Sequence, residues 1–278
     1  MLPGAMEFIA STRIPDTKTD KAYYFIIGNN KILTQGSEIP CIKLTQVSSL
    51  PVASTFFFGT YNNTPCYCAP FIQNEQYYGS LKNNFDLISL RQFYHVSNEQ
   101  FRQMAGCARQ IVDLHTHNRF CGACGGQTHI LDGEHARTCP TCDITTYPRI
   151  SPAIMAAVTR GDEILLARGV NFPNQKMFSI LAGFVSPAET LEDCVRREVL
   201  EETGIKVGKI QYANSQPWPF PDSLMIGFTA QYQSGDIRID PEEISEAAWF
   251  KANNLPLIPN EYSLAGQLIR EFIRKHTD

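Results

Sequence analysis

Two pairs of cysteines constrain the fold of this chain more than any other feature. Cys121 and Cys124 are separated by two residues, as are Cys139 and Cys142, and fourteen residues lie between the pairs. A C-x2-C turn directs two thiolates to one ion, and two such turns complete the tetrahedral S4 shell that suits Zn2+. Four sulfurs fill the shell and leave no position for a substrate or water. The sequence therefore predicts a ribbon with one structural zinc ion per subunit.

Two alternatives to this zinc site come from the same segment. A redox-active pair is one, although C-x-x-C occurs here twice rather than once. The other is ligation by His129 or His135 within the spacer, which we expect to face solvent instead. The chain has nine cysteines, and this odd count without an export signal argues against a disulfide framework. We therefore expect a reducing, cytoplasmic environment.

The rest of the chain divides around the ribbon. Residues 1–118 are predicted to form an α+β domain, 119–147 the zinc ribbon, and 148–278 a third, α/β part. In the first domain we expect a helix that starts at the N-cap Ser97 and ends near Asn118. No internal repeat is apparent. No apolar run approaches the ~18–20 residues of a membrane span, and the net charge of -4 argues against a broad electrostatic surface for nucleic acid.

The segment from Gly183 to Ile205 predicts a loop followed by a helix, with a glycine that ends the helix. Thr190 is the predicted N-cap, and Gly204 stands where a C-terminal glycine belongs. The expected apolar stripe of the helix consists of Leu191, Cys194, Val195, Val199 and Leu200. We also expect Arg197 to pair with Glu189 and so to hold the loop against the helix.

Three glutamates crowd the other side of this helix. Glu198 and Glu202 are four residues apart and therefore share a face, and Glu201 points close to it. Like charges at this spacing repel. The cluster is either a solvated acidic surface or a cage for a hard cation such as Mg2+, which prefers carboxylate ligands. Both readings stay open on the chemistry alone, and in either case Glu202 is expected to face away from the core.

The whole segment resembles the Nudix box, G-x5-E-x7-R-E-U-x-E-E-x-G-U. Every fixed position matches: Gly183, Glu189, Arg197, Glu198, Val199, Glu201, Glu202, Gly204 and Ile205. One departure is Ala188, where many members of the family have glycine. The resemblance implies an α/β/α sandwich with a mixed sheet, which hydrolyses a nucleoside diphosphate linked to another group. It also implies that Mg2+ or Mn2+ is the catalytic cofactor.

A second motif narrows the substrate. The stretch 215–223 reads SQPWPFPDS, and its three prolines exclude a central strand. We expect a stiff loop that presents Trp218 and Phe220, or else packs them in the core. The stretch resembles the signature of the NADH pyrophosphatase subfamily, which joins an N-terminal domain, a four-cysteine ribbon and a Nudix domain in this order. That likeness implies hydrolysis of NAD(H) to a nicotinamide mononucleotide and AMP, removal of the NAD cap from RNA as a second activity, and a homodimer.

The resemblance also implies the site residues. The catalytic residues would be Glu198, Glu201 and Glu202, and the metal ligands Glu198, Glu202, the carbonyl of Ala182, and Glu243. The expected substrate contacts are Arg91, Glu134, Tyr147, Phe184, Gln216, Pro217, Trp218, Pro219, Phe220, Pro221, Asp222, Ser223 and Ala265. Two alternatives remain: a Nudix hydrolase of another nucleotide, such as ADP-ribose, and a zinc-ribbon nucleic-acid-binding protein with a degenerate Nudix fold. The intact box argues against the second.

Overall fold

The computed structural model describes residues 7–15, 19–49, 52, 54–71, 85–172 and 174–277. The chain forms two compact units, residues 1–149 and 150–278. Sixteen strands and four α-helices, α1 to α4, make up the regular structure of the described residues. No helix among these residues has the length and apolarity that crossing a membrane requires.

The first unit contains a seven-stranded sheet in the order β1-β5-β6-β2-β3-β7, with β4 also paired to β2. Its strands are β1 (Phe8–Ala10), β2 (Lys21–Gly28), β3 (Lys31–Thr34), β4 (Cys41–Lys43), β5 (Phe56–Tyr61), β6 (Thr64–Pro70) and β7 (Asp86–Ser89). Strands β2 and β3 form one hairpin, and β5 and β6 form another. Asn29–Asn30 and Asn62–Asn63 make the turns, and all four asparagines take positive φ, which asparagine tolerates better than most residues.

Two helices follow this sheet: α1 (Leu90–Val96) and α2 (Glu99–His117). The N-cap of α2 is Asn98, whose side chain accepts from the N–H of Phe101 at 3.0 Å, so the prediction of Ser97 was one residue early. Ser97 instead ends α1, where its hydroxyl donates to the carbonyl of Phe93 at 2.6 Å. Both residue types cap helices, and the sequence did not reveal the short helix that uses the serine.

The ribbon completes the first unit as a three-stranded sheet. Its strands are β8 (His129–Ile130), β9 (Arg137–Thr138) and β10 (Thr145–Thr146), in the order β10-β9-β8. Each strand is two residues long, so the ribbon buries little apolar surface of its own. This is the expected build of a small module that depends on a bound ion.

The second unit is an α/β/α sandwich. Its mixed sheet runs β14-β15-β11-β12-β16, with β13 paired to β11. The strands are β11 (Ser151–Arg160), β12 (Glu163–Gly169), β13 (Leu181–Phe184), β14 (Lys206–Trp218), β15 (Ser223–Ser234) and β16 (Ile244–Lys251). Helix α3 (Leu191–Thr203) packs on one face through Cys194, Val195 and Val199. Helix α4 (Leu264–His276) packs on the other through Leu268, Ile269 and Phe272.

The two large sheets share one topology. β2 and β11 occupy the same place in their sheets. In the first unit, β2 lies parallel to β6 and antiparallel to β3 and β4. In the second unit, β11 lies parallel to β15 and antiparallel to β12 and β13. The next strands outward correspond as well. β5 pairs with β6 as β14 pairs with β15, and β7 pairs with β3 as β16 pairs with β12. Between β4 and β5 the described residues form the 3-10 helix Leu44–Ser49 and a single bridge from Val52 to Phe71, where the second unit has α3. The two units therefore repeat one strand order, although the sequence shows no internal repeat.

Candidate active site

The four predicted zinc ligands converge in the ribbon. The Sγ atoms of Cys121, Cys124, Cys139 and Cys142 all lie within 4.8 Å of one another. Each pair sits in a tight turn, in which the N–H of Gly125 donates to the carbonyl of Cys121 and that of Asp143 to the carbonyl of Cys139. A hydrogen bond from the backbone of Cys142 lowers the pKa of the Cys139 thiol to about 7. The sulfur donors therefore fit a structural zinc ion.

The histidines of the ribbon stand outside this cluster. Within the part of the chain that the structure describes, the four cysteines are the only group of three or more Cys, His, Asp or Glu residues whose ligand atoms approach so closely. His129 is exposed, as expected, but His135 is half-buried, and burial lowers its pKa.

The acidic helix α3 begins and ends where the sequence predicts. The hydroxyl of its N-cap Thr190 accepts from the N–H of Asp193 at 3.2 Å, and Gly204 at the C-terminus has a φ of 72°. Leu200 is 44% exposed and does not belong to the buried stripe. The buried side of the helix instead includes Glu198 and Glu202, 8% and 6% exposed, so the expectation that Glu202 faces solvent is wrong.

Arg197 holds the loop before the helix. Its guanidinium donates to both carboxylate oxygens of Glu189, at 2.7 and 2.8 Å, and to the carbonyl of Phe184 at 3.0 Å. It also donates to Glu198 at 2.8 Å and to Glu201 at 2.9 Å. These bonds lower the pKa of Glu189 to about 2, so the expected pairing of Arg197 with Glu189 is present in bidentate form.

The loop itself shows why glycine stands at position 183. A Cβ built on Gly183 would lie 1.9 Å from the carboxyl carbon of Glu198. The glycine therefore leaves the space that the Glu198 carboxylate occupies beside β13. Ala188 adopts a φ of 63°, a left-handed conformation that glycine takes without strain, which accounts for the glycine common at this position in the family.

Glu202 is the most perturbed carboxyl of the site. Burial, followed by the charges of Glu198, Glu243, Asp240 and Glu201, raises its pKa to about 8. Its Oε2 atom is buried and has no hydrogen-bond partner among the residues that the structure describes. Burial also raises the pKa of Glu198, although Arg197 opposes this. A buried oxygen among like charges is costly unless something pairs with it.

A cavity of about 360 Å³ opens beside this carboxylate. It is lined by Ala182, Glu202 and Glu243, three of the predicted metal ligands, and by Asn171 and Phe172. Glu198 and Glu201 do not line it. Glu201 instead has a side chain 56% exposed and turned to Arg197. The orphaned Glu202 oxygen and the carboxylate of Glu243 are hard donors that fit a divalent cation.

The SQPWPFPDS stretch is a strand end and a turn rather than a loop throughout. Residues 215–218 finish β14, which tolerates Pro217 because β14 is the edge strand of the sheet. Gln216 donates to the carbonyl of Tyr262 at 2.7 Å and accepts from the N–H of Leu264 at 2.8 Å. It therefore fixes the start of α4. Trp218 packs partly into the core and meets Phe220 edge-on at 5.1 Å.

The end of this stretch leads into the next strands. Pro217 and Pro221 are exposed, Pro219 is buried, and Ser223 begins β15. The carbonyl of Asp222 accepts from the N–H of Ser151 at 2.9 Å. Ala265, in the first turn of α4, is only 2% exposed, so almost none of its surface is open to a substrate.

The remaining predicted contacts lie on the surface. Phe184, at the end of β13, is 59% exposed. In the first unit, Tyr147 is 56% exposed and its hydroxyl hydrogen bonds to Glu134, which raises the pKa of Tyr147. Arg91 is exposed in the first turn of α1. The sequence analysis missed Asn171 and Phe172, because no motif marks the turn after β12.

Three family models match successive parts of the chain. The NADH pyrophosphatase-like rudimentary NUDIX domain matches residues 21–113, the NADH pyrophosphatase zinc ribbon domain 117–147, and the NUDIX domain 149–272. A protein of Deinococcus radiodurans named NAD-capped RNA hydrolase NudC is 38% identical over 270 residues, which cover 95% of this chain and 91% of that protein. The chain belongs to the Nudix hydrolase family. The rudimentary NUDIX match agrees with the shared topology of the two sheets.

A second relative agrees with this assignment. A protein of the same name from Stutzerimonas stutzeri is 46% identical over 186 residues, 67% of each chain. A crystal structure of a NUDIX hydrolase from Nitrosomonas europaea is 21% identical and covers 57% of this chain and 92% of its own, with a TM-score of 0.49. The predicted fold class, a Nudix α/β/α sandwich after a zinc ribbon and an N-terminal α+β domain, is confirmed.

Proposed function

We propose that this Nudix enzyme hydrolyses the pyrophosphate bond of NAD(H) and gives a nicotinamide mononucleotide and AMP. The observation that carries the proposal is the buried, unpartnered Oε2 of Glu202 beside a cavity that Glu243 and Ala182 also line. This arrangement is costly in an empty protein and favourable around a divalent cation. The names of the relatives from Deinococcus radiodurans and Stutzerimonas stutzeri, which both refer to NAD-capped RNA, support the substrate class.

The metal ligands of this proposal are Glu198, Glu202, Glu243 and the carbonyl of Ala182, with Mg2+ or Mn2+ as the ion. When bound, such a cation neutralises the charge of the pyrophosphate and activates water for attack on phosphorus. Arg197 donates a hydrogen bond to Glu198 and orients its carboxylate. Glu201, bound by Arg197 and largely exposed, is the remaining catalytic carboxylate of the box.

Each unit carries proposed substrate contacts of its own. Phe184, and Tyr147 with its partner Glu134, offer exposed groups to a nicotinamide or adenine ring, and such stacking contributes ~1–3 kcal/mol. The stretch 216–223, together with Arg91 and Ala265, completes the set. NAD-capped RNA is a second substrate, because it contains the same bond.

A substrate screen with Mg2+ or Mn2+ that follows AMP release tests the activity. NADH and NAD+ should be cleaved faster than ADP-ribose, and NAD-capped RNA should release nicotinamide mononucleotide. A preference for ADP-ribose would assign the enzyme to another Nudix activity. Release from the free dinucleotide alone would remove the RNA substrate from the proposal.

The variant Glu202→Gln tests the metal site. It should lower kcat by ~10²–10³-fold, since a cation contributes several kcal/mol to stabilisation of the transition state. The Mg2+-dependent rise in the melting temperature should disappear, while the melting temperature in chelator should not fall. Unchanged hydrolysis in this variant would refute the metal site.

The assembly completes the proposal: a cytoplasmic homodimer whose chains each have an N-terminal domain (1–118), a zinc ribbon (119–147) and a Nudix domain (148–278). Phe120, Ile130, Ile144 and Tyr147 leave large apolar side chains on the ribbon surface, each 47% exposed or more, which supports a partner there. Light scattering should give twice the chain mass of 31.2 kDa, and a monomer mass would refute the dimer.

A further inference from the structure

The turn after β12 forms a wall of the cavity that the glutamates line. Phe172 is half-buried and Asn171 exposed, and both line the cavity with Glu202 and Glu243. A Cβ added to Gly169 would lie 2.8 Å from the Phe172 ring. The ring is therefore folded back over the end of the strand, in a place that only a glycine at position 169 leaves open.

A network of hydrogen bonds holds this turn. The amide of Gln175 donates to the carbonyl of Phe172 at 2.7 Å and to that of Val170 at 3.3 Å. The guanidinium of Arg168 donates to the carbonyl of Gln175 at 3.0 Å and to Glu246 at 2.6 Å. The turn is thereby fixed to β16 as well as to its own strand.

The same network reaches a predicted metal ligand. The N–H of Val170 donates to the carbonyl of Glu243 at 2.9 Å. The turn that holds Phe172 therefore also bonds to the backbone of Glu243.

The chemistry of the cavity divides between these residues. Carboxylates can hold cations and, through them, phosphate, but they offer no aromatic face on which a ring can stack. The Phe172 ring offers an aromatic face and the Asn171 amide offers a donor, directly beside the carboxylates. A nucleoside is attached to each phosphate of the substrate, so the substrate has a ring on either side of its pyrophosphate.

We propose that Phe172 is a specificity-determining residue that stacks on a heteroaromatic ring of the bound dinucleotide, and that Gln175 positions it. This inference rests on the proposed function, because it needs a substrate with a ring on each side of a pyrophosphate. It adds a contact outside both the Nudix box and the 215–223 stretch. Asn171 contributes a hydrogen bond at the same wall.

The variant Phe172→Leu, compared with Phe172→Tyr, tests the stacking. Phe172→Leu should raise the KM for NADH about tenfold, within the range of a lost ring-on-base stack, with kcat within about threefold of the parent. Phe172→Tyr keeps the ring and should stay near the parent in both constants. Tyr212→Leu, which removes an aromatic ring that is 62% exposed and does not line the cavity, is the matched control and should change neither.

The positioning role has a separate test. Gln175→Glu keeps the size of the side chain but loses the N–H donors to Phe172 and Val170. It should raise KM about threefold and leave kcat unchanged. Because Gln175 is exposed, this variant also serves if Phe172→Leu fails to fold.

Calorimetry with AMP and with nicotinamide mononucleotide, in the presence of Mg2+, distinguishes this inference from the proposed function. Phe172→Leu should weaken binding of one of the two mononucleotides about tenfold, which identifies the ring. A KM and two dissociation constants within twofold of the parent would overturn the role of Phe172, as would a fall in kcat alone. Absence of NADH hydrolysis by the parent would refute the proposed function, while the dissociation constants would still decide on Phe172.

Discussion

Gly183 shows how a single missing side chain can prepare a site. The Glu198 carboxylate occupies the space where a Cβ at this position would be. Gly183→Ala should push Glu198 out of place, lower the free energy of unfolding by about 1–3 kcal/mol as overpacking does, and weaken Mg2+ binding about tenfold. Chemical unfolding and a Mg2+ titration of the melting temperature measure the two effects.

The control for this change is Gly208→Ala in β14. The nearest atom to its added Cβ is Oε1 of Gln233, at 3.8 Å, so stability and Mg2+ binding should both stay close to those of the parent. Equal effects of the two substitutions would show that any alanine in the sheet is harmful and that the fit to Glu198 is irrelevant.

Glu202 marks the limit of prediction at the residue scale. Helical spacing correctly places it on the same side as Glu198, and chemistry links it to a cation. Its burial depends on the segment 240–243, whose Asp240 N–H donates to the carbonyl of Glu202 at 3.2 Å. Because that contact joins residues nearly forty positions apart, no local pattern in the sequence reveals it.

At the scale of elements, Arg197 joins a loop to a helix. Its planar guanidinium makes a two-pronged bond to Glu189 that a lysine ammonium cannot reproduce. Arg197→Lys should therefore lower the free energy of unfolding by about 1–2 kcal/mol and kcat/KM by at least about tenfold. Chemical unfolding and steady-state hydrolysis of NADH are the measurements.

Arg196→Lys is the matched control on the same helix. Arg196 is 52% exposed and pairs with Asp193 alone among the salt bridges of the described residues, and such surface pairs contribute ~0–1 kcal/mol. It should change stability by less than about 0.5 kcal/mol. An equally large loss in this control would mean that the charge of the helix matters rather than the bidentate bond.

The elements whose ends are fixed by local chemistry are the ones the sequence predicts well. Thr190 and Gly204 define α3, and the turns with asparagine or glycine define the hairpins. The strand end 215–218 was wrongly expected as a loop, because its proline excludes a central strand but not an edge strand. Which strand is the edge depends on the whole sheet, and this topology cannot be read from one segment.

A buried histidine connects α2 to the ribbon. His115 is 7% exposed, stacks on Phe56 at 3.9 Å, and has its Nδ1 3.4 Å from the guanidinium of Arg137. Burial, followed by the charges of Arg137 and His135, lowers its pKa from 6.5 to about 4. The folded protein therefore favours the neutral form of the His115 imidazole.

This lowered pKa predicts a loss of stability in acid. The unfolded chain binds a proton at His115 below pH 6.5, whereas the folded chain does so only near pH 4. Stability is therefore complete above pH 6.5 and falls as the pH decreases towards 4, by about 2 kcal/mol at pH 5. Urea unfolding between pH 7.5 and 4.5 should show this slope reduced in His115→Gln, and parallel curves for the two proteins would contradict it.

At the scale of the whole molecule, one sheet topology occurs twice, whereas the helix that carries the Nudix-box glutamates occurs once. The second unit has α3 with its glutamates, while the described residues of the first unit have a short 3-10 helix at the equivalent place. The sequence hides this relation, because strand pairing and order persist when the side chains have changed. The sequence does show the ribbon cysteines and the Nudix box. At these places metal binding or hydrolysis requires particular side chains, so the pattern can be recognised.

The division into two units predicts that two metals stabilise two different parts of the enzyme. Each unit has its own buried core, the cysteine cluster belongs to the first, and the carboxylate cavity to the second. In differential scanning calorimetry, a zinc-selective chelator should lower only the transition of the first unit, since binding energy of such ions is folding energy. Added Mg2+ should raise only the transition of the second unit.

Thiol chemistry provides the control for this double measurement. Chelation should release one zinc ion per chain and expose four further reactive thiols. Cys142→Ser should reproduce the chelated profile without chelator, whereas Cys41→Ser, at an exposed cysteine outside the cluster, should not. A single calorimetric transition whose temperature shifts under either treatment would contradict this prediction. It would show that the two units unfold cooperatively.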